Sequence, residues 1–323
     1  MLNNAFNKRI MKQLTNNILM IKPVCFRYNE QTANNNYYQQ QDFDQLSSSQ
    51  IQRNALLEFN NLVDKLESVG VNVILVEDTK SPDTPDSIFP NNWVSFHANG
   101  MVGLFPMYAE NRRAERREDI FDLLVDEYSF NIENIKDFTG SEDHGIYLEG
   151  TGSMVLDREY KICYAAISIR TNKVALMKFC EEFGYRLVSF IANQDVNGER
   201  LSIYHTNVMM CIGDKFAVIC LNSIDNKEER ERVIETLIET GKEIIEISED
   251  QKYRFAGNML QVMGDKPYLV MSNSAFTSLT EEQKNKIEKH CAIIYSSLDT
   301  IESCGGGSAR CMMAEVFLSK KQI

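Results

Sequence analysis

A pattern of strand, tight turn, strand, helix and short strand recurs along this chain roughly every fifty to sixty residues. It limits the fold more than any other feature. Asn91-Asn92-Trp93-Val94-Ser95-Phe96-His97 leads to a turn at Asn99-Gly100 and a strand from Met101 to Phe105. Leu148-Glu149-Gly150-Thr151-Gly152-Ser153 leads through Asp157-Arg158 to a strand from Lys161 to Ser168. Tyr204-His205-Thr206-Asn207 leads through Gly213-Asp214-Lys215 to a strand from Phe216 to Leu221. Phe255-Ala256-Gly257-Asn258 leads through Gly264-Asp265-Lys266 to a strand from Tyr268 to Asn273. Gly305-Gly306-Gly307-Ser308-Ala309-Arg310-Cys311, followed by an apolar run, opens a fifth unit.

Apolar spacing predicts helices over 112–128, 172–183, 227–241 and 280–290 within these units, the last opened by a Thr280-x-x-Gln283 capping box. Ahead of them come a strand from Ile18 and a helix over 50–69 with Ile51, Leu56, Phe59, Val63 and Leu66 on one face. The units diverge too far for an open solenoid. The expected fold is one compact α/β domain of five units closing on themselves, spanning 18–323. Residues 1–17, rich in Asn, read as a flexible lead-in. The polar stretch 29–49 reads as a surface loop that could cover a site.

Hydrophobic residues at 43% and charged residues at 25% leave ample material for a core. A net charge of −12 argues against nucleic acid as a partner. No apolar run reaches membrane-spanning length, and no signal peptide is visible. The eight cysteines include no C-x-x-C pair. A cytoplasmic protein with reduced thiols, monomeric or a homodimer, is the expectation.

Each unit opens on a polar residue just before an apolar strand: Asn91 and Asn92, Glu149, His205 with Asn207, Asn258, and Cys311. If rotation relates the units, these positions converge on a common axis and form a polar pocket. A thiol, an imidazole and a carboxylate gathered there form a nucleophile, a proton carrier and an orienting or cation-binding group. Taken alone, each has a structural reading: a buried cysteine after a turn, a satisfied histidine, a turn-bracing glutamate.

Four segments carry a resemblance to a known family: Phe89-Pro90-Asn91-Asn92-Trp93-Val94-Ser95-Phe96-His97, Leu148 to Ser153, Tyr204 to Met209, and Gly305 to Met312. In this order and spacing they resemble the guanidine-modifying superfamily of pentein fold, nearest its citrulline-utilisation hydrolase, arginine deiminase-related and amidinotransferase-like members. The resemblance implies a propeller of five ββαβ modules around a central channel. It also implies Cys311 as nucleophile, His205 as acid and base, Glu149 as the carboxylate, and no metal or organic cofactor. Ser168-Ile169-Arg170-Thr171-Asn172 resembles the segment whose arginine binds the substrate carboxylate, which makes Arg170 the anchor. The deiminases place acidic residues where Asn92 and Asn207 stand. Amides can donate to a ureido oxygen, as ionised carboxylates cannot, so citrulline is the favoured substrate. Arginine, as substrate of a deiminase or amidinotransferase, is the alternative. A non-catalytic pentein-fold binding module is the alternative of another class.

Overall fold

The computed structural model describes residues 12–39 and 46–321. The chain enters on β1 (Asn17–Lys22), passes a short helix α1 (Glu30–Ala33), and runs up α2 (Ser48–Ser68). It returns on β2 (Asn72–Glu77), which pairs parallel with β1. The buried stripe of α2 is Ile51, Ala55, Phe59, Leu62, Val63 and Leu66. Leu56, expected on that stripe, is only half-buried, because at about 3.6 residues per turn it lies roughly 100° round the helix from Ala55.

The second unit is β3 (Val94–Phe96), β4 (Met101–Leu104), α3 (Glu110–Arg113), α4 (Asp119–Asp126) and β5 (Asn134–Asp137). The continuous helix expected over 112–128 is broken between α3 and α4. Arg112 and Glu115 account for the break: both turn inward and are buried against each other. Next come α5 (Gly150–Ser153), β6 (Val155–Asp157), β7 (Ile162–Ala166), α6 (Lys173–Phe183) and β8 (Arg186–Phe190).

A hairpin absent from the expected pattern follows, β9 (Asn193–Val196) with β10 (Glu199–Ser202). Its turn residues Asn197 and Gly198 both have positive φ, 53° and 87°. This is the geometry that an Asn-Gly pair favours between two antiparallel strands. The fourth unit is β11 (Met210–Ile212), β12 (Phe216–Ile219), α7 (Lys227–Glu239) and β13 (Glu243–Glu246). Helix α8 (Glu249–Tyr253) leads into the fifth, β14 (Leu260–Met263), β15 (Pro267–Ser272), α9 (Asn273–Ser278), α10 (Glu281–Glu288) and β16 (Ala292–Ser296). The Thr280 capping box is in place: Gln283 N donates to Thr280 Oγ1 at 3.2 Å and Thr280 N to Gln283 Oε1 at 2.8 Å.

Helix α11 (Asp299–Gly305) and the glycine loop bring the chain to β17 (Ala314–Glu315). Strand β17 pairs antiparallel with β1, with Ile18 opposite Glu315 and Leu19 opposite Ala314. The unit opened by Cys311 is therefore completed by the first strands of the chain. All five three-stranded sheets share one plan, an antiparallel pair extended by a parallel strand. The parallel step needs a crossover, and in each unit helices supply it.

Two expectations need correction. The end of the expected lead-in is anchored: Gln13 is buried, donating to Leu156 O at 3.1 Å and accepting from Arg158 N at 2.7 Å. Residues 1–11 lie outside the described residues. The stretch 29–49 is not merely a surface loop either, since Asn29, Thr32, Asn36 and Tyr38 are buried. Residues 40–45 lie outside the described residues.

Candidate active site

The polar residues that open the units sit in tight helical turns that aim them off the strand ends. Asn91 and Asn92 lie in a 3-10 turn ahead of β3. Glu149 caps α5, and His205 precedes a 3-10 turn over Thr206–Val208. Gly152 is obligatory here, because a Cβ on it would collide with the Asn92 amide and the His205 ring.

His205 Nε2 and Glu149 Oε2 are 2.7 Å apart, and Glu149 Oε1 accepts from Tyr108 N at 2.9 Å. Arg170 Nη1 stands 3.5 Å from Glu149 Oε2. Burial pushes the Glu149 carboxyl up, but Arg170, the His205 hydrogen bond and Arg112 outweigh it and hold it well below the usual carboxylate range. Burial drives His205 down to about 4, against the opposing pull of Glu149. An ionised Glu149 can only accept, so the neutral imidazole carries its proton on Nε2 and leaves Nδ1 as the base.

Cys311 follows the glycine loop and is buried, as are Asn207 and Asn258. Its sulfur receives Asn258 Nδ2 at 3.2 Å and Asn207 Nδ2 at 3.4 Å. Asn258 Oδ1 accepts from Arg310 N at 3.1 Å, which fixes the amide's orientation. Cys311, His205, Arg170 and Asn92 line one cavity with Asp86, Arg112, Tyr204, Thr32, Asn36 and the three glycines of the loop. Its free volume is about 10 Å3, room for a single water. Asn91, expected to bind substrate, is not among the lining residues; its Nδ2 donates to Thr151 Oγ1 at 3.3 Å, and its Oδ1 has no partner among the described residues. Around the cavity, Asn92 Nδ2, Asn207 Oδ1 and Asp86 Oδ1 likewise lack a hydrogen-bond partner among the described residues.

The segment from Asn29 to Gln39 closes the cavity. Asn36 Nδ2 donates to Gly305 O at 3.2 Å, and Gln39 Nε2 to Cys304 O at 2.9 Å. Asn35 Oδ1 accepts from Arg170 Nε at 2.8 Å and from its Nη2. Thr32 O also accepts from Arg170 Nη2, at 2.9 Å.

Asp86, Arg112 and Glu115 were not expected at the site. Arg112 is held bidentately by Glu115 at 2.8 and 2.9 Å and donates to Asn92 Oδ1 at 2.8 Å. Burial pushes the Glu115 carboxyl up to about 7 despite that partner. A signal was available: an arginine follows the second strand of two successive units, Arg112 after β4 and Arg170 after β7. Among the described residues, no three His, Cys, Asp or Glu side chains gather as a metal would require.

The chain is a hydrolase of C–N bonds in guanidino-type groups, within the guanidine-modifying pentein superfamily. More closely, the chain belongs to the family described as "N,N dimethylarginine dimethylhydrolase, eukaryotic", which matches it over residues 22–318. Solved structures share the fold. The N-terminal domain of ArgZ, in a variant covalently bound to a reaction intermediate, has TM-score 0.68 at 20% identity over 93% of this chain and 97% of that one. Apo ArgZ, an arginine dihydrolase from the ornithine–ammonia cycle in cyanobacteria, has TM-score 0.72 at 20% identity over 95% of this chain and 41% of that one. A dimethylarginine dimethylaminohydrolase variant, as its adduct with S-methyl-L-thiocitrulline, has TM-score 0.61 at 16% identity over 93% and 98%. No curated protein sequence gives a significant match.

Proposed function

We propose that this protein hydrolyses the ureido group of citrulline to ornithine, ammonia and carbon dioxide through a covalent intermediate on Cys311. One observation carries the reading: the thiol and His205 share a closed cavity with two buried guanidinium groups, and Glu149 pins the imidazole from behind. Neutral His205 takes the thiol proton at Nδ1, and the sulfur bonds to the ureido carbon. The bond from that carbon to the ornithine nitrogen breaks, and His205 gives the leaving amine its proton. His205 then deprotonates water, which attacks the carbon and expels the sulfur. The carbamic acid released falls to ammonia and carbon dioxide. Two easier steps replace one hard attack by water.

Arg170 is the seat for the substrate carboxylate, since Glu115 already holds the matching face of Arg112. Asn35 Oδ1 now occupies the Nε/Nη2 face of Arg170, the face a carboxylate takes. The unpartnered Asn92 amide N–H and Asn207 carbonyl suit a ureido oxygen and N–H. Asp86 Oδ1, also unpartnered, is a seat for the substrate ammonium.

The propeller belongs to this reading. Polar residues from the openings of five units come together, and β17 from the end of the chain completes the first sheet. Both support five modules around one axis, forming a single catalytic domain over 18–323. Eight unpaired cysteines support a reducing compartment such as the cytoplasm.

A second reading takes arginine as the first substrate, consumed by two rounds of the same chemistry. The similarity to the arginine dihydrolase ArgZ favours it. Incubation with each compound separates the two. Citrulline yielding ornithine while arginine is left untouched supports the first reading. Ornithine from both supports the second. The Cys311→Ser variant should bind but not turn over either compound, and normal turnover there would overturn both.

A further inference from the structure

A second cavity, of about 330 Å3, lies on the far side of the segment that closes the Cys311 site. It is lined by Tyr37, Tyr38, Tyr253, Phe255, Arg254 and Asp299, among others. The guanidinium of Arg254 makes no hydrogen bond or ion pair among the described residues, and the side chain is exposed. Asp299, also exposed, accepts among the described residues only from Ser297 Oγ, at 2.7 Å. The Tyr38 hydroxyl has no partner among the described residues although the residue is 5% exposed. Phe255, whose ring centroid is 5.2 Å from that of Tyr38, holds a left-handed φ of 60°, unusual for a residue with a bulky side chain. Such strain gathers at functional sites.

The walls come from three segments that each continue into the Cys311 site. The segment carrying Tyr37 and Tyr38 also carries Asn36, which bonds the glycine-loop carbonyls. Phe255 leads within three residues to Asn258, whose amide contacts the Cys311 sulfur. Asp299 opens α11, which runs into the glycine loop. A cation and an anion flanking aromatic rings complement a zwitterion on an apolar stem.

We propose that this second cavity binds a free α-amino acid, with Arg254 pairing its carboxylate, Asp299 its ammonium, and the aromatic rings covering its stem. A ligand there braces Tyr38 and with it the segment that must lift for substrate to reach Cys311, so occupancy slows turnover. This site is separate from the substrate seats around Arg170.

Titration calorimetry with L-ornithine on the Cys311→Ala protein tests it, with the same titration on Cys311→Ala/Arg254→Ala. The expected result is two molecules per chain in the first and one in the second. A single event that Arg254→Ala weakens tenfold or more, and Arg170→Ala leaves alone, sustains the second cavity and sinks the assignment of the Cys311 site. A single event indifferent to Arg254→Ala overturns the proposal, and so does no binding at all. Thermal unfolding of the exposed-site variant should match its parent. In steady state, L-ornithine should inhibit Arg254→Ala at least threefold less than wild type. Equal inhibition would remove the link to turnover.

Discussion

Neutral His205 sets the pH range of the proposed reaction. Burial lowers it to about 4, so at neutral pH it is already the base. Protonation below that value removes the acceptor for the thiol proton. The acid limb of kcat/KM should therefore lie near pH 4, and a limb at the ordinary histidine value of about 6.5 would contradict the assignment. Glu149→Gln removes the one neighbour that pulls His205 up. The limb should then move lower still, while kcat falls on the order of 10^2–10^4-fold because the tautomer is no longer fixed. Asn258→Ala removes a donor to the sulfur worth about 1.5–3 kcal/mol when that sulfur is charged. It should cut kcat about 10- to 100-fold with little change in KM, and an unchanged kcat would assign Asn258 to packing alone. The register of these residues was legible because all of them open a unit. Arg112 left only the faint signal of an arginine after the second strand, and Asp86 and Glu115 left none, because their place depends on a helix break and a loop closure that apolar spacing does not encode.

Among the elements, the segment 29–39 decides access. A cavity with room for one water must open to admit an amino acid. Asn35 competes with the incoming carboxylate for Arg170. Asn35→Ala should therefore lower KM about 10-fold or more and leave kcat alone, since each of the two charge-assisted hydrogen bonds it removes is worth about 1.5–3 kcal/mol. A raised KM would mean that Asn35 itself holds substrate. Helices α2, α6, α7 and α10 were readable from apolar periodicity and caps. The break between α3 and α4 was not, because the buried Arg112–Glu115 pair replaces the hydrophobic contact that periodicity detects. The β9–β10 hairpin announced itself only by Asn197-Gly198, a two-residue signal easily lost between larger units.

At the scale of the whole molecule, the first sheet joins both ends of the chain. Its middle strand, β1, was expected from Ile18, but its pairing with β17 could not be read from local pattern, which carries no information on long-range partners. Thr15 reinforces the junction, donating to Val316 O at 2.9 Å, and Gln13 ties the entering segment to β6 and the turn after it. Removing residues 1–16 should cost about 1–3 kcal/mol, read as a lowered denaturant midpoint with the slope preserved. Extending the deletion through Lys22 removes β1 and should abolish cooperative unfolding.

Protein synthesis runs from β1 toward β17. A growing polypeptide presents Glu149 and His205 to the cell while the codon for Cys311 is still unread, and its opening strand meanwhile lacks one neighbour. In the proposed reaction, reactivity thus arrives only once Cys311 has been made and β17 docks onto β1. On that reading, fragments that stop short of Cys311 lack the nucleophile, even where their earlier modules have already folded.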